Sequence, residues 1–509
     1  MLSLSSKRGR WVLAVTILGS AVAFLEATVV NVALPEIGRD LDASVSGLQW
    51  VLNGYLLTLA ALILLGGSLG DRYGRRRLFS IGIVWFTVAS ALCALAPSIE
   101  FLVVARVLQG VGGALLAPGS LAIIEAAFRS EDRPRAIGAW SALGGVAGSI
   151  GPLVGGYLID AISWRAVFLI SVPLGAFVVV AAARHVPETR DTTATGGVDV
   201  PGAVLATLAL AGGTFALVQA PAGDTAVPAL AAGAVGLAAL VAFVVVERRR
   251  AHPMLPLEIF SSRQFTSANV LTFIVYAALG GVFFLLVLFL QVSLGYSPIA
   301  AGSASLPVTV LMLLLSSRAG TLAQRVGPRL PLTVGPLLIA AGMVLMSRIE
   351  PGDAYVEAVL PAVIVFGLGL AATVAPITAT ALAAADDRQA GLASGINNAV
   401  ARTAQLTAVA ALPALAGLTG ADFEDPVALA DGFQTAMLVT AGVAAAGSGI
   451  ALATIRNDVL APGAGAAPGD SERDGVAERQ LSHCAVAGTP LRQERPAART
   501  AAASGRTSA

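Results

Sequence analysis

Apolar residues run in long stretches along this chain, interrupted by short polar segments. Lipid needs about 20 apolar residues to cross a hydrocarbon core as a helix. About fourteen segments qualify, at roughly 11–35, 48–70, 78–97, 100–127, 134–159, 165–184, 200–220, 227–247, 265–292, 298–318, 330–348, 355–383, 391–418 and 432–455. The strict alternation over about ten residues that marks a barrel strand is missing from these runs. The pattern predicts an all-α integral membrane protein. The last stretch, 457–509, is rich in Ala, Gly, Pro, Arg and Ser without apolar period, and reads as a disordered tail.

The polar connections fall into two alternating sets. One carries Lys7, Arg8 and Arg10, then Arg72 and Arg75 to Arg77, Arg129 to Arg135, Arg248 to Arg250, Arg318 to Arg329, and Arg388. The other carries little beyond Arg39, Arg165 and Arg348. The positive-inside rule places the first set in the cytoplasm, so both termini are expected inside a multi-pass protein of the cell membrane. Ala21, Val22 and Ala23 resemble a signal-peptide cleavage site. The apolar run continues to Leu34, however, so the segment reads as a retained first helix.

Composition agrees: 56% of residues are hydrophobic and 12% charged, against about 25% charged in soluble proteins. Lysine occurs once, at Lys7, so the chain has no P-loop of its own to hold a nucleotide. Cys93 and Cys484 suggest no disulfide framework, and His185, His252 and His483 have no metal-ligand spacing. No cofactor or metal is expected, and short basic loops between spans argue against nucleic acid. Asp386 and Asp387 lack the further acids of a metal-binding motif, so no enzyme is expected.

A loop motif follows the second segment: Gly67, Gly70, Asp71, Arg72, Gly74, Arg75, Arg76 and Arg77. Glycines there allow tight turning. A degraded copy follows the tenth segment, with Gly320, Gln324, Arg325, Gly327 and Arg329. Two copies in matching places indicate an internal repeat of two six-helix halves with a helix pair inserted between them. The expected division is 1–190, 191–262 for the inserted pair and its linkers, 263–456, and the tail 457–509. The inserted pair has few polar residues and is assigned no chemistry.

Taken together, these motifs resemble the major facilitator superfamily, and within it the fourteen-helix drug:proton antiporters. The Gly67–Arg77 segment is similar to the superfamily's cytoplasmic loop. Arg106, Gln109, Gly110 and Gly112 are similar to its Arg-centred motif, and Gly151, Pro152, Gly155 and Gly156 to the motif associated with antiporters. Leu25, Glu26, Thr28, Asn31 and Pro35 resemble the subgroup's first-helix motif, and Trp164 to Gly175 another subgroup pattern. This chain has Glu26 where Asp is usual, Ser171 where Asn is usual, and Gln324 where the second loop usually has an acid. The resemblance spans about residues 10–455 and implies export of drugs or related small molecules in exchange for protons, by a protein that works as a monomer in lipid. Proton symport for uptake is the alternative, and a membrane-embedded enzyme a remote one.

Ionisable residues at mid-membrane are costly and usually functional. Glu26 lies about nine residues before Pro35, roughly 13 Å deep, and Arg106 about six residues into its helix, roughly 9 Å deep. The resemblance implies that their two helices line the central cavity, so Glu26 and Arg106 are expected to meet there and to couple protons, or else to form a permanent pair that only holds the helices together. Asn31, Asn53, Tyr55, Gln109, Gln291, Asn397, Asn398 and Gln405 are the expected substrate contacts, or else hydrogen bonds between helices. Arg402 is a further buried-charge candidate. The resemblance implies that Gly67, Asp71, Arg72, Gly74, Arg75 and Glu125 bias inward against outward forms. Gly151, Pro152, Gly155 and Gly156 are expected to form a seam between the halves.

Overall fold

The computed structural model describes residues 2–129, 131–190, 197–220, 226–385, 389–418, 420–423 and 425–460. Asp386, Asp387, Arg388 and almost all of the expected tail therefore lie outside the described residues.

Fourteen long helices carry the described chain. They are α1 (Lys7–Asp40), α2 (Val45–Tyr73), α3 (Arg75–Ala94), α4 (Ile99–Ala127), α5 (Arg133–Ala161), α6 (Trp164–His185) and α7 (Val200–Gln219), followed by α8 (Ala226–Arg249), α9 (Arg263–Val292), α10 (Pro298–Val326), α11 (Arg329–Met346), α12 (Tyr355–Ala383), α13 (Ala390–Leu415) and α14 (Pro426–Thr454). Side chains cap several starts: Ser6, Ser44, Ser98, Ser262 and Ser297 accept hydrogen bonds from backbone N–H groups of the first turn, satisfying donors that have no helical partner. Pro35 lies inside α1, so the first helix runs past the predicted end at 35.

Twelve of these helices are long and apolar enough to cross a membrane. The other two are α5, of which only 146–161 forms an apolar stretch among the described residues, and α13. α13 falls short because Asn397, Asn398, Arg402 and Gln405 interrupt its apolar face.

Exposed large apolar side chains cover the bundle's flank, among them Val84, Trp85 and Val88 on α3 and Leu230, Leu237 and Val241 on α8. Water would not tolerate so much apolar surface, and lipid requires it. The inserted pair is the most peripheral part. The apolar windows of α7 and α8 are 17% and 22% buried, against 72% for α2. The pair packs on itself through Gly212 and Gly236, and α7 leans on α2 where Phe215 meets Trp50 at 6.3 Å.

The two similar loop motifs end their helices in the same backbone conformation. α2 ends at Gly74 with φ +113, and α10 ends at Gly327 with φ +90, both in the region that favours glycine. Past each turn, a side chain distant in sequence caps the next helix. The N–H of Arg76 donates to Glu188 Oε1 at 3.1 Å, and that of Arg329 to Asn457 Oδ1 at 3.3 Å. Close glycine approaches match as well. Gly82 of α3 sits against α4 at the Gly112 carbonyl, and Gly335 of α11 against α12 at the Gly369 carbonyl.

Candidate functional site: a one-ended cavity and a sealed ion pair

A cavity of about 230 Å³ opens at the end of the bundle that carries the Gly67–Arg77 loop. Its walls follow single helix faces. Along α2, Tyr55, Leu59, Ile63, Gly67, Gly70 and Asp71 lead from floor to mouth, and along α13, Arg402, Asn398, Ser394 and Gly391 do the same. Spacings of three and four place each set on one side of its helix. α4 contributes Gly113 near the floor and Glu125 at the mouth, α1 contributes Ser20, Ala23 and Phe24, and α5 contributes Trp140.

The opposite end is closed by α5 against α10. Gly156 abuts the backbone of Pro298 and Ile299, and Gly302 abuts the Pro152 carbonyl. The Ile299 N–H also donates to Asp160 Oδ2 at 3.2 Å. On its other side α5 seats against α1, with Gly151 on Thr28 and Gly155 on Val29, and the Thr28 hydroxyl donates to the Gly148 carbonyl at 2.7 Å. Small residues make these approaches possible.

Glu26 and Arg106 meet, but not in the open cavity. They are 0% and 1% exposed, with Arg106 Nη1 3.8 Å from Glu26 Oε1. Ser171 donates to Glu26 Oε2 at 2.7 Å, so the departure from Asn at this position still supplies a donor to the acid. Arg106 Nε donates to the Val51 carbonyl at 3.0 Å, and Nη1 donates to Gln109 Oε1 at 2.5 Å. The guanidinium lies 4.6 Å from the Tyr55 ring centre, a cation–π contact. Tyr55 is also part of the cavity lining. It therefore separates the acid and its arginine from the cavity. Glu26 Oε1 accepts no hydrogen bond, and Gln109 Nε2 and both polar atoms of buried Asn53 have no partner. A buried charge held by one good hydrogen bond and a 3.8 Å ion pair is incompletely stabilised.

Of the expected substrate contacts, Tyr55 and Asn398 line the cavity. Gln109 belongs to the sealed cluster through Arg106, and Asn53 is buried with no hydrogen-bond partner. Asn31 Nδ2 donates to its own helix at the Thr28 carbonyl, at 3.4 Å. Gln291 ties α9 to α1 by donating to the Val32 carbonyl at 3.0 Å. Asn397 donates to Asn269 Oδ1 at 3.1 Å and Thr272 Oγ1 at 2.9 Å, joining α13 to α9. Gln405 Oε1 accepts from Arg402 Nη1 at 3.0 Å. Asn31, Gln291, Asn397 and Gln405 lie outside the cavity lining, their amides taken up by hydrogen bonds within a helix or between helices.

At the mouth, Arg75 holds Asp71 through two contacts of 2.8 Å and also donates to the Ala122 carbonyl of α4 at 3.4 Å. Glu125 lines the same opening. Arg72 and Asp71 border a second hollow of about 340 Å³ with Asp199 and His252. Gly67 faces Pro118 of α4.

The inserted pair carries a polar cluster that its composition did not suggest. Asp199 caps α7 by accepting from the Gly202 N–H at 2.9 Å, accepts from the Met254 N–H at 3.1 Å, and pairs with Arg250. Glu247, 2% exposed, accepts from the Leu255 N–H at 2.8 Å. The acids thus pin the linker after α8. The sequence signal was a lone Asp just before one apolar run and a lone Glu ending the next.

A bundle of long helices with an apolar flank and a one-ended cavity has the form of a membrane transporter. Residues 16–409 match the Major Facilitator Superfamily pattern. The chain is 36% identical over 387 residues to the multidrug resistance protein Stp of Mycobacterium tuberculosis, covering 75% of this chain and 71% of that one. It is 37% identical over 399 residues to the tetracenomycin C resistance and export protein of Streptomyces glaucescens, covering 77% and 73%. With the puromycin resistance protein pur8 of Streptomyces alboniger it shares 36% identity over 434 residues, covering 83% and 86%. Among solved structures, the fold is similar to the peptide transporter POT in complex with sulfate, with a TM-score of 0.63 at 16% identity, covering 89% of this chain and 98% of that one. It is also similar to an inward-facing bacterial homolog of the human lysosomal transporter Spinster, with a TM-score of 0.61 at 18% identity and coverage of 89% and 98%. The chain belongs to the Major Facilitator Superfamily, a multi-pass family of transporters rather than enzymes.

Proposed function

We propose that this protein exports small molecules across the cell membrane in exchange for protons, by alternating access, with Glu26 as the proton carrier. The observation that carries this reading is the Glu26–Arg106 pair, sealed behind Tyr55 at the floor of a cavity open at one end. Protonation of a carboxyl depends on hydration and on nearby positive charge. Opening the bundle to the other side would hydrate Glu26 and change its distance from Arg106, and with it the carboxyl's hold on a proton.

Tyr55 supplies the link between substrate and proton. A substrate resting on the cavity face of Tyr55 presses the ring against Arg106, and a guanidinium nearer the acid favours the carboxylate. A substrate-loaded protein therefore gives up its proton, and the empty protein needs the proton to return. Both termini and the basic loops are placed in the cytoplasm by the positive-inside rule. The Asp71–Arg75 pair, with Glu125 nearby, acts at the cytoplasmic mouth, and the glycines of α5 form the seam that opens at the outer end. Counting α5 and α13 with the apolar helices gives the fourteen-span arrangement.

The relatives' names, which refer to drug and antibiotic resistance and export, support the outward direction. A drug-susceptibility panel in a host lacking its own exporters tests the reading. Expression of the intact chain is expected to raise tolerance to a subset of compounds, and Glu26→Gln at equal membrane abundance is expected to abolish that tolerance. Equal tolerance in the two strains would remove Glu26 from the mechanism.

A further inference from the structure

The floor of the cavity carries a positive charge that no acid among the described residues answers. Arg402 sits about twelve residues into α13, roughly 18 Å from its start, near the middle of a span. Its guanidinium donates to Gln405 Oε1 at 3.0 Å. The described ion pairs do not include it. A guanidinium has five N–H donors and no acceptor, so most of the fork remains for a ligand. Cations at this depth are expensive and face water-filled space or a partner.

The other charges of the lining lie at the mouth. Asp71 is held by Arg75 at 2.8 Å. Glu125 is twelve residues along α4 from Gly113, which lies against Tyr55, hence about 18 Å from the floor. Glu26, the acid nearest the floor, is sealed behind Tyr55 and faces Arg106. The floor thus offers a cation and no carboxylate, in a cavity whose lining includes the aromatic side chains of Tyr55, Phe24 and Trp140.

We propose that the cavity floor is a binding site for aromatic anions, with Arg402 taking the anionic group and the aromatic walls taking the ring. A planar fork suits a carboxylate by paired hydrogen bonds. Apolar walls with one well-placed polar group are the usual form of a small-molecule pocket. This assignment rests on reading the cavity as the substrate site.

Three probes of one shape and different charge test it: naphthoate, naphthol and naphthylmethylammonium, titrated by calorimetry into the purified full-length protein in detergent. Naphthoate is expected to bind most tightly and naphthylmethylammonium least. Arg402→Gln is expected to weaken naphthoate roughly ten- to hundredfold, the loss of a hydrogen bond to a charged group, and to leave naphthol within about twofold. Arg402→Lys keeps the charge without the fork and is expected to fall between, which separates recognition from misfolding. Glu26→Gln mimics the protonated acid and by reciprocal linkage is expected to weaken naphthoate and naphthol alike, whereas Arg402→Gln acts on the anion alone, so an unchanged Glu26→Gln would remove the proton scheme and leave the charge preference standing. No binding of naphthoate to the parent, equal binding to Arg402→Gln, or a preference for the ammonium probe would overturn the proposal.

Discussion

The α5–α10 seam gives a perturbation whose effect follows from geometry. A Cβ added at Gly156 would lie 2.5 Å from Ile299 Cα and 2.6 Å from the Pro298 carbonyl oxygen. Both neighbours are backbone, so neither can swing aside. Gly156→Ala therefore pushes α5 from α10 and penalises the form in which this end is closed. Overpacking of this kind costs about 1–3 kcal/mol. A penalty confined to one of two states shifts their ratio by roughly five- to 150-fold. Gly138, on the same helix, has nothing within 4 Å of its added Cβ and serves as the control.

Spin labels on Ile162→Cys and Val356→Cys would report the state, in a background with the two native cysteines replaced. Both positions are exposed, at 71% and 67%, and lie at the closed end in different halves. Gly156→Ala is expected to move the distance distribution toward longer separations and to lower transport, while Gly138→Ala leaves both unchanged. An unaltered distribution with Gly156→Ala would refute the seam as the place where closure is made.

Asp71→Asn removes the charge that holds Arg75 at the mouth, and is expected to reduce transport severalfold with little change in probe binding, measured by uptake and calorimetry on one preparation. Asn457→Ala removes the cap on α11, costing roughly 1 kcal/mol, and is expected to lower Tm by scanning fluorimetry while Asn457→Asp does not. Asp199→Ala removes a cap and an ion pair, costing roughly 1–3 kcal/mol, and is expected to increase proteolysis in the linker after α8. Burial opposes the charge on Asp199, but hydrogen bonds from Gly202 and Met254 and the nearby Arg250 outweigh it and hold the carboxyl below the usual range. A depressed acid contributes above its unfolded value, about 3.9, and loses that contribution as pH falls through the lower folded value. The Asp199→Ala defect is therefore expected to be full at neutral pH and to vanish only in strong acid.

The spans were legible because lipid leaves little choice: a run of sufficient apolar length has to be a helix. The meeting of Glu26 and Arg106 was legible from two similar depths along helices of known rise together with a family resemblance that places both helices on one cavity. Gly74 and Gly327 announced the repeat because both turns need the same backbone conformation. Tyr55 was legible as a polar aromatic in a span, but its place between the acid and the cavity depends on how α2 rotates against α4, which no local pattern fixes. Asn397 and Gln291 read as substrate contacts because an amide in an apolar run looks the same whether it faces a neighbouring helix or a hollow. The face of α13 formed by Gly391, Ser394, Asn398 and Arg402 was available from spacing alone, and would have marked Arg402 as a cavity residue.

The central claim is that one buried acid exchanges a proton for the substrate. Purified protein in liposomes, loaded with a compound identified by the susceptibility panel and placed under an imposed pH gradient, tests it most directly. The parent is expected to move the compound against its concentration gradient in the sense opposite to proton flow. Glu26→Gln is expected to retain exchange of labelled for unlabelled compound while ignoring the pH gradient. Gradient-driven accumulation by Glu26→Gln equal to that of the parent would contradict the account.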